Sequence, residues 1–301
     1  MLKWLWRVSV ALALLGTSVA QAGSLVGRVT GDVRHLPWRK EKETLGWVSV
    51  CVWQNAKLIR VTRTHMDGTF HAALRPGTYD VELGRPAFRI LRKSVTVPED
   101  GEVRCDARLS PDPDFGMIVE PRAGMSEFCL PGDAIPVKCC APQKARDWAA
   151  ELRTDYLRIP AEVEGPEGNG TLRVHVPKTT PPGLYHLSLR CQDGDGKVHA
   201  TEQPRVVSVL ASYPKRFRVL MHKDWHFNWY VNRPGASGEV QADYFRAAGL
   251  LNALWISLGD DIGFEGDDHM AMFWHMLRHE CRTPVFLAFG NHDAAVTEAG
   301  L

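Results

Sequence analysis

The chain has no excess of charge: 36 Lys and Arg stand against 35 Asp and Glu, for a net charge of +1. Long-range attraction to nucleic acid or to an anionic membrane is therefore excluded, and partners must be argued from local sites. No C-x-x-C spacing occurs among the seven cysteines, which removes thiolate metal binding. Past the N-terminus no apolar run approaches the roughly 20 residues of a membrane-spanning helix. The second β-rich region, 115–212, also has no stacked aromatic set of the kind a carbohydrate- or wall-binding module presents. What is there, 301 residues that are 45% hydrophobic and 24% charged, is ordinary globular composition, enough for two or three domains.

The first 22 residues read as a signal peptide. Lys3 and Arg7 give a positive start, Val8 to Gly16 an apolar stretch, and Ala20-Gln21-Ala22 a small-residue cleavage site. Export to the periplasm or the exterior follows, and no Cys stands after the cleavage site to carry a lipid. In that compartment the cysteine distribution matters. Cys51 and Cys105 form one set, Cys129, Cys139, Cys140 and Cys191 a second, and Cys281 stands alone. Two even sets suit disulfides within domains; buried free thiols explain the same distribution equally well.

Between residues 24 and 110, short β-type runs alternate with turn signals: Leu25 to Thr30, Trp47 to Trp53, Lys57 to Arg63, Thr69 to Leu74, Thr78 to Leu83 and Lys93 to Val97, with Asp67-Gly68 and Pro76-Gly77 between them. V-S-V-C-V-W, T-H-M-D-G-T-F and P-G-T-Y-D-V, in that order, resemble a prealbumin-like or carboxypeptidase-regulatory-like β-sandwich, which implies no catalytic residues. Pro111 to Asp114 suits a solvated linker. A second β-rich region over 115–212, with Gly183 to Leu189 alternating on one face, fits an immunoglobulin-like sandwich acting as spacer or docking module. After Pro214 the pattern becomes strand, helix, strand, helix, strand, as a parallel sheet with crossovers requires. The fold class expected is thus multidomain: two all-β sandwiches, then over 215–301 the first half of an α/β (βαβαβ) domain.

Each apolar run of that last region ends in metal-capable residues: Asp224-Trp225-His226, Gly259-Asp260-Asp261 and Gly290-Asn291-His292-Asp293. Loops at the carboxyl ends of such strands converge on one crevice. The order D-W-H, G-D-D, G-N-H-D resembles the calcineurin-like metallophosphoesterase superfamily over roughly residues 217–293. That resemblance implies a hydrolase using two metal ions, with Asp224 and His226 on the first, Asp260 bridging and Asn291 on the second. It also implies His292 beside the leaving group and Asp293 orienting it. Two cations about 3.5–4 Å apart can generate a hydroxide and neutralise a phosphoryl group together. Nitrogen and oxygen ligands suit Mn, Fe, Zn or Ni.

No His follows His292, so the family's later His and G-H-x-H are missing. The chain is therefore expected to be a fragment, inactive alone, of an exported phosphoesterase whose phosphoester substrate is of open class. The rival is an exported β-sandwich binding or adaptor protein, docking in the cell envelope, with a vestigial α/β segment. Two features sit outside the motifs. His275 and His279 lie four apart on a helix expected over 267–282, opposite its apolar residues Met270, Phe273, Trp274 and Leu277, and so are expected to face solvent. Trp229 to Gly238 is either a substrate-contacting loop or a connection.

Overall fold

The computed structural model describes residues 23–34, 43–166, 170–222, 248–249, 253–257 and 267–288. The first eight strands are β1 (Gly23–Gly31), β2 (Ser49–Gln54), β3 (Lys57–Arg63), β4 (Thr69–Leu74), β5 (Gly77–Gly84), β6 (Leu91–Val97), β7 (Glu102–Arg104) and β8 (Ala107–Leu109). They form two sheets. In one, β1 pairs with β4, β7 and β8; the other runs β3-β2-β5-β6. Leu25, Val29, Phe70 and Ala72 from the first meet Val50, Val52, Val81 and Leu83 from the second in one core. The alternation that places every second residue inside also leaves a polar outer face on the β3-β2-β5-β6 sheet. At the expected Asp67-Gly68 turn, the Asp67 carboxylate accepts from the Thr69 amide at 3.0 Å and its hydroxyl at 2.7 Å. Gly68 there has φ +78° and a would-be Cβ only 2.6 Å from the Val29 carbonyl oxygen, so glycine is required.

The second unit contains β9 (Ile118–Glu120), β10 (Glu127–Cys129), β11 (Ala134–Cys139), β12 (Arg146–Arg153), β13 (Arg158–Glu164), β14 (Thr171–His175), β15 (Gly183–Gln192) and β16 (Val198–Val209). Their order is β10-β16-β15-β12-β13-β14-β11-β9. This sheet closes over a core to which both its halves contribute, Val137 and Leu172 from one and Leu152, Leu187 and Val207 from the other. Strands β13 and β16 were not expected from the sequence. Pro160 and Pro204 within them demote such runs, and β16 carries a register shift against β15 with Arg205 at φ 55°. The segment expected to be a solvated linker is instead pinned. Asp114 takes His199 Nδ1 at 2.7 Å, while His199 Nε2 faces Asp193 at 3.0 Å.

The remaining elements are β17 (Arg218–His222), β18 (Ala253–Ser257), α1 (Asp267–His279) and β19 (Val285–Leu287). The strands are parallel in the order β17-β18-β19. The expected fold class needs correction here. The described chain is almost entirely strand, with α1 its one named helix, and it contains no βαβαβ domain among the described residues. Among the described residues, the apolar cluster of this part is shared with its neighbours. Met272, Met276, Leu277 and Val285 cluster with Trp47 of the first unit and Leu184 of the second. A strand-helix-strand rhythm is a local pattern, and it does not reveal whether the elements pack on each other or are built into neighbours.

Candidate functional site

The outer face of the β3-β2-β5-β6 sheet is where the three parts meet. Val50 and Val52 of β2 point into the core, so Ser49, Cys51 and Trp53 share the outer face. Register extends these into rows across the sheet: Cys51 opposite Glu82, and Glu82 opposite Arg92; then Trp53 opposite Asp80, and Asp80 opposite Ser94. Directly paired residues have Cβ atoms about 4.5–5.5 Å apart. Each row is therefore one contiguous patch.

Helix α1 lies over the first of these rows, and it brings polar groups rather than apolar ones. His275, Arg278 and His279 are all buried, against the expectation that both histidines face solvent. His275 Nδ1 meets the Ser49 hydroxyl at 2.7 Å, and His279 Nε2 lies 3.8 Å from Cys51 Sγ. Arg278 ion-pairs with Glu202 of β16 and, at 3.5 Å, with Glu82 of β5. One guanidinium thereby joins helix, first unit and second unit. Arg205 repeats the pattern: its irregular φ turns the side chain inward, where it donates to the carbonyls of Leu184 at 2.9 Å and Arg278 at 3.2 Å and approaches Asp155 at 3.4 Å.

The electrostatics run against a catalytic reading of these pairs. Ser49 with His275 and Cys51 with His279 look like nucleophile and base. Burial, reinforced by the Arg63 and Arg278 charges, lowers His275 to about 3. Burial, with His275 and the arginines, takes His279 well down. Burial also raises the Cys51 thiol to about 12. A thiolate–imidazolium pair needs both shifts in the opposite sense, so Cys51 and His279 make a neutral contact, and His275, lowered so far, is a poor base toward the Ser49 hydroxyl. His186 is neutral too, lowered by burial and by Arg205, and its Nδ1 accepts from the Arg205 amide at 3.2 Å. Arg278 is lowered by burial but raised further by Glu202 and Glu82, and stays charged.

Past the end of α1 the same face opens into a groove of about 750 Å³. Its floor holds Trp53, Asp80 and Ser94, and its opposite wall is the β12–β13 turn, Thr154 to Leu157. That turn is held by the Thr154 hydroxyl, which accepts from the Tyr156 and Leu157 amides at 3.2 Å and 3.0 Å. Tyr156 is 75% exposed, far more than an aromatic placed for packing. It also lines an adjoining cavity of about 270 Å³ on the β3 side, with Ile59 and Arg60. Sequence reasoning missed this site because Trp53 and Tyr156 are about a hundred positions apart; the positive signal was Trp53 on the polar face of an alternating strand.

The residues expected to bind metal or act on substrate, Asp224, His226, Asp260, Asn291, His292 and Asp293, all lie outside the described residues, as does Trp229 to Gly238. All seven cysteines are free, and five of them are buried. Of the two explanations left open for them, buried thiols hold for those five; Cys139 is half-buried and Cys140 exposed.

No family model matches the chain, and no curated protein matches it. Among solved structures, a DUF3823 family protein of Bacteroides ovatus is 12% identical, over 63% of this chain and 100% of its own, with a TM-score of 0.23. A DUF3823 family protein of Parabacteroides merdae is 17% identical, over 64% and 100%, with a TM-score of 0.22. The titin M3 domain is 14% identical, over 30% and 92%, at 0.21. Likeness at this level carries no argument about what the chain does. The expected membership of the calcineurin-like metallophosphoesterases, and with it the hydrolase assignment, is corrected: no family model or curated protein supports it, and the regular structure of the described residues is strand apart from α1 and a short helical piece at 248–249.

Proposed function

We propose that this is an exported β-sandwich binding protein, with its ligand groove between the two sandwich units and no catalytic step. The observation that carries the reading is the groove itself. Side chains of both units line it, and it opens from the same sheet face that α1 seals elsewhere. Concave sites with a few convergent polar groups and aromatic walls are the usual form of small-ligand sites. The ion pairs of Arg278 and Arg205 fix the two units against each other, so the groove is held open without ligand. Export rests on the charge and apolar pattern of the first 22 residues.

The test is thermal stabilisation against a panel of soluble sugars, amino acids, dipeptides and nucleotides. A ligand that binds only the folded state raises the melting temperature by mass action. At least one compound is expected to stabilise the wild type and to lose that effect in Tyr156→Ala. If no compound does so, or if the stabilisation survives the substitution, the groove is not the site.

A further inference from the structure

Which groups in the groove are already engaged, and which are not, narrows what it can hold. The cations are engaged. Arg92 holds Glu82 in two hydrogen bonds, at 2.9 and 2.7 Å, Arg153 holds Glu202 at 2.7 Å, and Lys93 Nζ donates to the Asp106 carbonyl at 2.6 Å. Arg158 stands 3.8 Å from Glu151. A phosphate or carboxylate ligand would have to break a pair to reach any of the three arginines, and the Arg153 pair is largely buried; only Lys93, at the exposed rim, lacks a carboxylate partner among the described residues.

The unengaged groups are of another kind. Asp80 and Ser94 make no side-chain hydrogen bond or ion pair among the described residues, and they are cross-strand neighbours. The buried indole N–H of Trp53, next in the same row, has no partner. Across the groove stands the Tyr156 ring. Together the row and the tyrosine offer the groove a carboxylate acceptor, a hydroxyl that donates or accepts, and two aromatic rings, while the indole N–H itself lies beneath the surface.

We infer that the groove binds a neutral oligosaccharide. A pyranose ring presents an apolar C–H face, which packs on an aromatic ring, and an edge of vicinal hydroxyls, which donate as a pair to a carboxylate and accept from N–H and O–H groups. The exposed Asp80 and Ser94 match that edge, and the Trp53 and Tyr156 rings supply the faces. The second cavity beyond Tyr156 extends the path past a single ring, so a chain of sugars is favoured over a monosaccharide. This inference rests on the binding reading above and deepens it.

Saturation-transfer NMR and titration calorimetry would test it, with cellohexaose, xylohexaose, maltohexaose and chitohexaose as neutral probes and an oligogalacturonate as the anionic one. At least one neutral oligosaccharide is expected to receive saturation at its ring protons. Tyr156→Ala and Asp80→Asn should each weaken it by about tenfold, or 1.4 kcal/mol, while Tyr156→Phe retains it. Tyr156 and Asp80 are exposed, so these variants keep the fold whatever Trp53→Ala does. Failure of all four neutral probes, preference for the oligogalacturonate, or binding indifferent to both substitutions would overturn the inference. If an amino acid, dipeptide or nucleotide then stabilises the wild type but not Tyr156→Ala, the groove remains a binding site and only the sugar assignment falls.

Discussion

One sheet face behaves in two ways. Under α1 the outer face of β2 and β5 is sealed, and Ser49, Cys51 and Glu82 are buried against His275, His279 and Arg278. One row further along, Trp53, Asp80 and Ser94 have the same strand geometry and comparable polarity but lie open. The chemistry of the strands does not separate the two halves; what covers them does. In the sealed half every charge has a counter-charge from another part of the chain, so its polar groups serve to orient the units. In the open half Asp80 and Ser94 have no side-chain partner among the described residues and are available to a ligand.

The contrast is broken most forcefully at Arg278. Replacing it with Ala removes the guanidinium that Glu82 and Glu202 share; because Glu82 keeps Arg92 and Glu202 keeps Arg153, the loss should fall below the roughly 3–5 kcal/mol of a buried pair left with no partner, at about 2–3 kcal/mol. Denaturant unfolding is expected to show that loss, or separate melting of the two units.

Acidification acts on the same half. Unfolded histidines titrate near 6.5, whereas His275 falls to about 3 in the fold and His186 and His279 lie well below the ordinary value. Above pH 6.5 both states are neutral and nothing changes. Below it the unfolded chain binds protons that the folded chain refuses, so stability falls as pH falls, by about 1.4 kcal/mol per pH unit per histidine. His199 works in the opposite sense, since Asp193 and Asp114 raise it; its contribution is full below 6.5 and fades as pH rises through its folded value. Denaturation midpoints measured across the acid range, with His275→Gln expected to flatten the slope, would check this.

Alkylation sharpens the comparison without a substitution. Exposed Cys140 should react with iodoacetamide in the native protein, while Cys51, buried under His279 and raised to about 12, should react only after unfolding. The smallest effect belongs to the open half: Tyr156→Ala should change stability by no more than about 0.5 kcal/mol, because the ring is 75% exposed. A larger loss would mean that the tyrosine packs rather than waits for a ligand.

Much of the β structure was legible. Strands β3 and β4 fall on their expected spans, and the turn at Asp67-Gly68 is made as its residues dictate, because alternation and turn chemistry are local. The long strand β16 was not, since Pro204 and the irregular Arg205 interrupt its pattern. The candidate site was least legible of all. The aromatic pair lining the groove is not clustered in the sequence: it comes from β2 and the β12–β13 turn, brought to one cavity only by the docking of two units.

By itself, then, the sequence determined what short-range rules govern: which runs become strands, which face of β2 is apolar, and that α1 has an apolar and a polar side. Only the tertiary structure decided where the polar side goes. A helix face carrying His275, Arg278 and His279 reads as solvent-facing because charged groups avoid burial. It is buried here because Glu82 and Glu202, 196 and 76 positions away from Arg278 along the chain, supply the counter-charges. Pairing at that separation leaves no periodic trace in a sequence.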